Sequence, residues 1–272
     1  MIANAEIKAM AKKIAESRKY RNTGIPIGTI EDVLRQETAR FQKKAEALRS
    51  TRAILHNVMA PYLGDPDYAA AHNQLDAISL EGENSQLENF CLEILTQHDS
   101  TRERRAYQNY FYKTIRDVAP QARSVLDLAC GLAPFALPFM GMAEDVRYHA
   151  YDIHQPRIDL INHFLQIQGL EELAEMRDVL INPPGIKADA AFLFKEAHRM
   201  EKRRKGSSRE LVKALKARTI FISLPNRSLD GQRDLHQRMD TLFSQIITGI
   251  STETGSREFA GETLYWMRKQ DG

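Results

Sequence analysis

The sequence predicts a doubly wound α/β domain preceded by an all-helical region, on three observations. From about residue 106 short apolar runs alternate with helical stretches; the residues before that carry helical spacing; and the composition, 43% hydrophobic and 27% charged, is that of an ordinary globular chain. At 272 residues the chain accommodates one large domain with an accessory piece, here residues 1–105 and 106–272. Its two cysteines, Cys91 and Cys130, form no CxxC pair. That argues against a disulfide framework or a cysteine zinc site and for a reducing, cytoplasmic setting. The N-terminal residues are charged throughout, and no apolar run reaches the roughly 18 residues of a membrane span, so a soluble protein is expected.

Taken in order, Thr29-Ile-Glu-Asp32 reads as a helix start with Thr29 as its cap, after a loop punctuated by Pro26 and Gly28; Ile30, Val33, Leu34, Ala45 and Leu48 follow at helical spacing. Asp65-Pro66 opens another helix, and Leu87 to Leu95 supplies one more. Ser100 and Glu103 have capping-box spacing, which places a further helix start just before the sheet. The runs 124–130, 146–152, 188–194 and 218–224 read as strands buried on both faces, and 263–269 as a last strand entered through the Gly261 turn. Asn182-Pro-Pro184-Gly185 resembles an amino-methyltransferase NPPY motif but has Gly where an aromatic belongs and precedes a strand, so it reads as a rigid turn.

The net charge of +2 hides a partition. Residues 1–60 hold twelve Lys/Arg against six Asp/Glu, residues 61–97 hold seven acids and no base, and residues 195–218 hold ten bases against three acids. Clustered bases neutralise phosphates and give salt-sensitive affinity for nucleic acid, although a single basic block is more commonly a solvated helix face.

In a doubly wound sheet, ligands sit beyond the carboxyl ends of the strands, at the switch point of strand order. The loop after the first strand, Asp127-Leu-Ala-Cys-Gly131-Leu-Ala-Pro134, has one glycine where a dinucleotide fingerprint needs three. One glycine suits a nucleoside with no pyrophosphate to cradle. The second strand ends in Asp152, placed to accept both ribose hydroxyls, and Asp178-Val179 is placed to meet the exocyclic amine of an adenine. Glycine loop, ribose acid and adenine acid in that order point to S-adenosylmethionine. Arg104, one residue beyond Glu103, is expected to face the cofactor carboxylate, because helix N-termini and arginine both favour anions.

These residues fall into linked motifs. SRKYR (17–21), HDSTRER (98–104), VLDLACGLAP (125–134), YDIHQ (151–155), RDVL (177–180), FK (194–195) and NRSLDG (226–231) resemble, in order and separation, the 16S rRNA (guanine-1405-N7) methyltransferases that give aminoglycoside resistance. The resemblance spans nearly the whole chain. It implies a class I S-adenosylmethionine-dependent methyltransferase domain, a Rossmann-like doubly wound sheet, behind a helical domain that docks on the 30S ribosomal subunit. By matching motif it implies a cofactor pocket of His98, Ser100, Arg104, Ala129, Gly131, Asp152, Ile153, Asp178, Val179 and Phe194, with Tyr62 on a poorer alignment. For RNA, it places Arg227 beside the pocket, and the basic blocks add Lys12, Lys13, Arg18, Lys19, Arg21 and Arg204. The chain departs from the family at Ala133, where CGLNP has Asn; at Asp99, where HAST has Ala; and in the basic stretch 199–205, which replaces a leucine-rich segment and a glutamine contact.

N7 of guanine carries a free lone pair, so methyl transfer needs no general base, and no catalytic acid or base is expected; proximity and orientation supply the acceleration. The target base has to be extruded from folded RNA to reach the pocket. A fixed positive charge on it would repel cationic aminoglycosides and remove an acceptor they use. A monomer satisfies these expectations. Two rivals remain: a methyltransferase of the same fold acting on another RNA base or a small molecule, and a non-enzymatic ribosome-binding protein with a degenerate pocket.

Overall fold

Burial follows the helical repeat from the first element. In α1 (Asn4–Ala15) Ile7, Met10, Ala11 and Ile14 are buried, at the spacing that puts them on one face. They pack on α2 (Ile27–Arg40) and α3 (Lys44–Met59) around Tyr20, Ile25, Ile30, Leu34 and Leu55, which together form a helical core of their own. The computed structural model describes residues 3–21, 24–59, 66–81, 84–228 and 232–269.

Two local expectations change here. Helix α2 starts two residues before Thr29, with Pro26 at its N-cap and no side-chain cap, so Thr29 is not a cap. The apolar spacing from Ile30 to Leu48 belongs to two helices, because the backbone turns extended at Phe41 (φ −107°, ψ 130°).

Helices α4 (Tyr68–Glu81), α5 (Asn84–Thr96), α6 (Asp99–Arg104) and α7 (Gln108–Val118) follow, with a 3-10 turn over Arg105–Tyr107. The start of α4 is served by Asp67, whose carboxylate accepts the Ala70 N–H at 3.1 Å; Asp65 lies outside the described residues. Ala71, Leu75, Phe90, Ile94 and Phe111 join the core that covers one face of the sheet.

The sheet contains β1 (Ser124–Leu128), β2 (Arg147–Asp152), β3 (Ala174–Met176), β4 (Lys187–Phe194), β5 (Lys216–Pro225), β6 (Ser251–Glu258) and β7 (Glu262–Lys269), in the order β3-β2-β1-β4-β5-β7-β6. The first five are mutually parallel, and β7 runs antiparallel between β5 and β6. The five strands expected from apolar runs are all present. β3 and β6 go beyond that expectation: the first is only three residues long, and the second, STETGSRE, is a mostly exposed edge with no apolar run to announce it. Polar edges of this kind discourage pairing with other chains. Gly255 in β6 lies against the Trp266 indole, where a Cβ would come within 2.3 Å of Cζ2.

Helices α8 (Leu137–Met140), α9 (Gln155–Ile167), α10 (Ala197–Arg203), α11 (Ser207–Ala214) and α12 (His236–Ile247) complete the two covering layers. Residues 183–185 form irregular chain ahead of β4, and the turn lies just before them, at 179–181. Among the described residues no helix is long and apolar enough to cross a membrane.

Candidate nucleoside-binding site

Strand order reverses between β1 and β4, and the chain leaving β1 there is contorted. Ala129 and Gly131 both adopt left-handed backbone, at φ 51° and 56°. The glycine does so freely, whereas such a conformation costs Ala129 on the order of 1 kcal/mol and persists only where its surroundings enforce it. They do: Cys130 N–H donates to the Tyr151 carbonyl at 2.9 Å, and Gly131 N–H donates to Asp152 Oδ2 at 3.0 Å. The glycine loop and the acid at the end of β2 are therefore one unit. Asp152 is 3% exposed and also accepts Arg157 Nη1 at 3.1 Å and His154 N–H at 3.1 Å. Arg157, from α9, is itself 1% exposed.

Asp178 lies beyond β3. Its Oδ2 accepts Thr29 Oγ1 at 2.7 Å and Arg203 Nη1 at 2.6 Å, and its Oδ1 accepts the Leu180 N–H at 3.1 Å. Val179 beside it is buried in the second sheet core. Ile153, after Asp152, packs against the first helical core. The side chains of Asp152, Ile153, Asp178 and Val179 thus stand at the carboxyl ends of neighbouring strands β2 and β3, next to the Gly131 loop. Tyr62 lies outside the described residues.

The segment before α6 is arranged differently from the expected capping box. The N-cap is His98, without a side-chain cap bond; Ser100 Oγ lies 2.8 Å from His98 Nδ1, and Glu103 instead accepts Lys195 Nζ at 2.5 Å. Burial explains the switch, since Lys195 is 9% exposed at the end of β4 and takes the carboxylate within reach. Arg104 is not a free cation. It is 2% exposed and donates through Nε and Nη2, both at 2.8 Å, to the two oxygens of Glu262. Its guanidinium lies 4.4 Å from the Phe111 ring centre and 4.8 Å from that of Phe194. Burial alone would raise the Glu262 pKa, but the Arg104 charge carries it below the ordinary carboxylate value. Phe194 in turn stacks on Phe192 at 5.0 Å.

Asp127, in the middle of the glycine-loop motif, is 1% exposed and accepts the Tyr148 hydroxyl at 2.7 Å, while Oδ1 has no partner among the described residues. Burial pushes its carboxyl up to about 7 against the partial opposition of that hydrogen bond. The folded protein therefore holds this proton more tightly than the unfolded chain. The stability it contributes is complete below the ordinary carboxyl range and is lost as pH rises through about 7, at up to about 1.4 kcal/mol per pH unit. Urea unfolding across that interval should show a decline that Asp127→Asn flattens; an identical decline in the variant would assign it to other groups.

The two basic blocks have different fates. Lys12, Lys13, Arg18, Lys19 and Arg21 are all exposed; Lys13, Arg18 and Arg21 make no ion pair among the described residues, and Lys12 reaches Glu16 only at 3.8 Å. The second block is divided: four of its ten bases pair with carboxylates, Lys195 with Glu103, Arg199 with Glu196, Arg204 with Glu210 at 2.7 Å, and Arg203 with both Asp178 and Asp32, while Lys202, Lys205, Lys213, Lys216 and Arg218 are exposed. Arg204 is part-exposed in its surface pair with Glu210, and Arg227 is exposed, in a backbone bridge to Asp234. Sequence reasoning missed Glu262, Arg157, Thr29 and Arg203 as site residues. Apart from Arg157, five residues from Asp152, each acts through a partner distant in the chain.

A sheet in this order with an antiparallel seventh strand, a glycine turn after β1 and acids after β2 and β3 define a class I methyltransferase. Residues 16–253 match the ribosomal RNA methyltransferase family FmrO, and the chain belongs to that family. A 16S rRNA (guanine(1405)-N(7))-methyltransferase of Serratia marcescens is 31% identical over 262 residues, covering 95% of this chain and 96% of that protein. Among solved structures, the 16S rRNA methylase RmtB superposes with a TM-score of 0.75 at 25% identity, over 97% of this chain and 98% of the other. The 16S rRNA methyltransferase RmtF, in complex with S-adenosyl-L-homocysteine, does so at 0.74 and 25%, over 99% and 100%.

Proposed function

We propose that this protein transfers a methyl group from S-adenosylmethionine to N7 of guanine 1405 of 16S rRNA in the assembled 30S subunit, and so confers aminoglycoside resistance. The observation that carries the reading is the Gly131 amide joined to the Asp152 carboxylate at the switch point of the sheet, in a chain of this family. The donor set fits a nucleoside: a single glycine turn with no pyrophosphate cradle, one carboxylate at the end of β2 for ribose hydroxyls, and another after β3 for an exocyclic amine.

When bound, the cofactor supplies a methyl group activated on a positively charged sulfur. The chain's own part is binding, orientation and electrostatics. Asp152 and Gly131 fix the ribose; Asp178, Val179 and Ile153 hold the adenine; His98, Ser100 and Ala129 border the remainder. Phe194, at the end of β4, borders the methionine end with a ring that already stacks on Phe192 and meets the Arg104 guanidinium. Arg104, neutralised by Glu262, serves chiefly to hold the Phe111 and Phe194 rings in place. No side chain is assigned as acid or base, because the N7 lone pair is free to react and in-line placement lowers the barrier.

Residues 1–105 serve as the docking region, with Lys12, Lys13, Arg18, Lys19 and Arg21 on phosphates and Arg227 near the target base. The protein works as a monomer in the cytoplasm, where its substrate is. The test is mass mapping of 16S rRNA after incubation with 30S particles and cofactor. The expected product is a single N7-methylguanine at 1405; methylation elsewhere, or none, sinks the reading. Replacing Lys13, Arg18 and Arg21 together by Ala should raise KM for 30S with little change in kcat. It should also flatten the slope of log affinity against log salt, by about 0.7 to 0.9 for each phosphate that the variant leaves unneutralised.

A further inference from the structure

Arg203 belongs to the basic stretch 199–205, at the end of α10. Its side chain is 8% exposed and lies between two carboxylates, donating Nη1 to Asp178 at 2.6 Å and Nη2 to Asp32 at 2.9 Å. Its Nε is buried with no partner among the described residues. A buried donor left unpaired is costly, so this guanidinium is not there for packing alone. Thr29, 0% exposed, adds its hydroxyl to the same Asp178 oxygen at 2.7 Å.

The acceptor count of Asp178 then becomes specific. A carboxylate has about four lone-pair sites, two per oxygen. Thr29 and Arg203 fill Oδ2, and the Leu180 N–H takes one site of Oδ1, so one site on Oδ1 remains. Left alone, the terminal torsion of an aspartate is broad and the carboxylate would present either oxygen at many angles. The two donors on Oδ2 prevent this. We propose that Arg203, with Thr29, is a positioning residue for Asp178: it locks the carboxylate so that a single acceptor site is offered to the exocyclic amine of adenine, and through Asp32 it ties that acid to the first helical core.

Two further contacts place that core at the same end of the site. Ile153 packs into it, and a Cβ on Gly24 would stand 3.5 Å from the Gln155 nitrogen. Arg203 thus does for the adenine acid what Arg157 does for Asp152, but from a helix that also grips α2.

The inference rests on the assignment of Asp178 to the adenine amine, and the experiment separates the two. Titration calorimetry of the full chain compares S-adenosylhomocysteine with its 6-deamino analogue, which lacks only that amine, for the native protein and for Asp178→Ala, Arg203→Met and Thr29→Val. The native protein should prefer the amine-bearing ligand, and Asp178→Ala should abolish the preference. Arg203→Met should reduce it by about tenfold while binding the deamino analogue normally, and Thr29→Val should reduce it by less. Arg203→Lys, whose ammonium can reach one carboxylate, should recover part of it and serves as the readout if the Met protein does not fold. If Asp178→Ala abolishes the preference and the Arg203 variants keep it, the positioning role is wrong and the adenine assignment stands. If Asp178→Ala keeps the preference, the assignment fails and the positioning role with it. Equal losses for both ligands in the Arg203 variants would reduce Arg203 to a structural brace and overturn the proposal.

Discussion

Glu262→Ala should cost about 3 to 5 kcal/mol of stability, because it leaves the Arg104 guanidinium buried and uncompensated. The pair is 3% and 0% exposed, bidentate, and shared with the Tyr107 hydroxyl at 3.1 Å. Removing the carboxylate strips both charged hydrogen bonds from a cation that is 3% exposed and packed against Phe111 and Phe194. Glu262→Gln, which keeps the volume and one acceptor, should cost less. Urea unfolding followed by tryptophan fluorescence measures both, since Trp266 stands on the same strand as Glu262. A loss below about 1 kcal/mol for the alanine variant would place this pair with ordinary exposed ion pairs and refute the account.

Asp152→Asn should weaken S-adenosylhomocysteine binding by about a hundredfold, because the carboxylate already accepts from Gly131, Arg157 and His154, and a neutral amide with one acceptor oxygen cannot keep those bonds and also give a ribose hydroxyl a charged partner. The same change weakens the bond to Arg157, 2% exposed in its side chain, so the melting temperature of the ligand-free protein should fall as well. Calorimetry on protein verified as folded separates the two effects. The methylation assay should show the loss in KM for the cofactor more than in kcat, as expected for an interaction made equally before and during methyl transfer. An unchanged dissociation constant would remove Asp152 from the ribose.

Legibility differed among elements for physical reasons. β1, β2, β4, β5 and β7 are announced by apolar runs because their side chains fill the cores on the two faces of the sheet. β6 is invisible to that criterion, since an edge strand with solvated faces needs no apolar residues and is held by pairing with β7. The glycine turn and the two acids were legible because a backbone passing close to a ligand, and a carboxylate at a strand end, each need a particular residue type at a short fixed spacing. The capping box at Ser100 and Glu103 and the cap at Thr29 misled for one shared reason. Each side chain had a local partner available and took a distant one, or a neighbour other than the expected one, once burial changed the competition.

By itself the sequence determined the helical start, five of the seven strands, the sheet class, the glycine loop and the acids at the ends of β2 and β3, together with an exposed basic arm near its start. These depend on residues within a few positions of one another, where periodicity and spacing act directly. The tertiary structure alone decided which charges remain available. It committed Arg203 of the second basic block to two carboxylates at once, paired Arg104 with a glutamate 158 positions away, and brought α2 against the acid after β3. A charged side chain removed from water takes whatever opposite charge the topology delivers, and that delivery is set by the packing of helices on the sheet rather than by any neighbour in the chain.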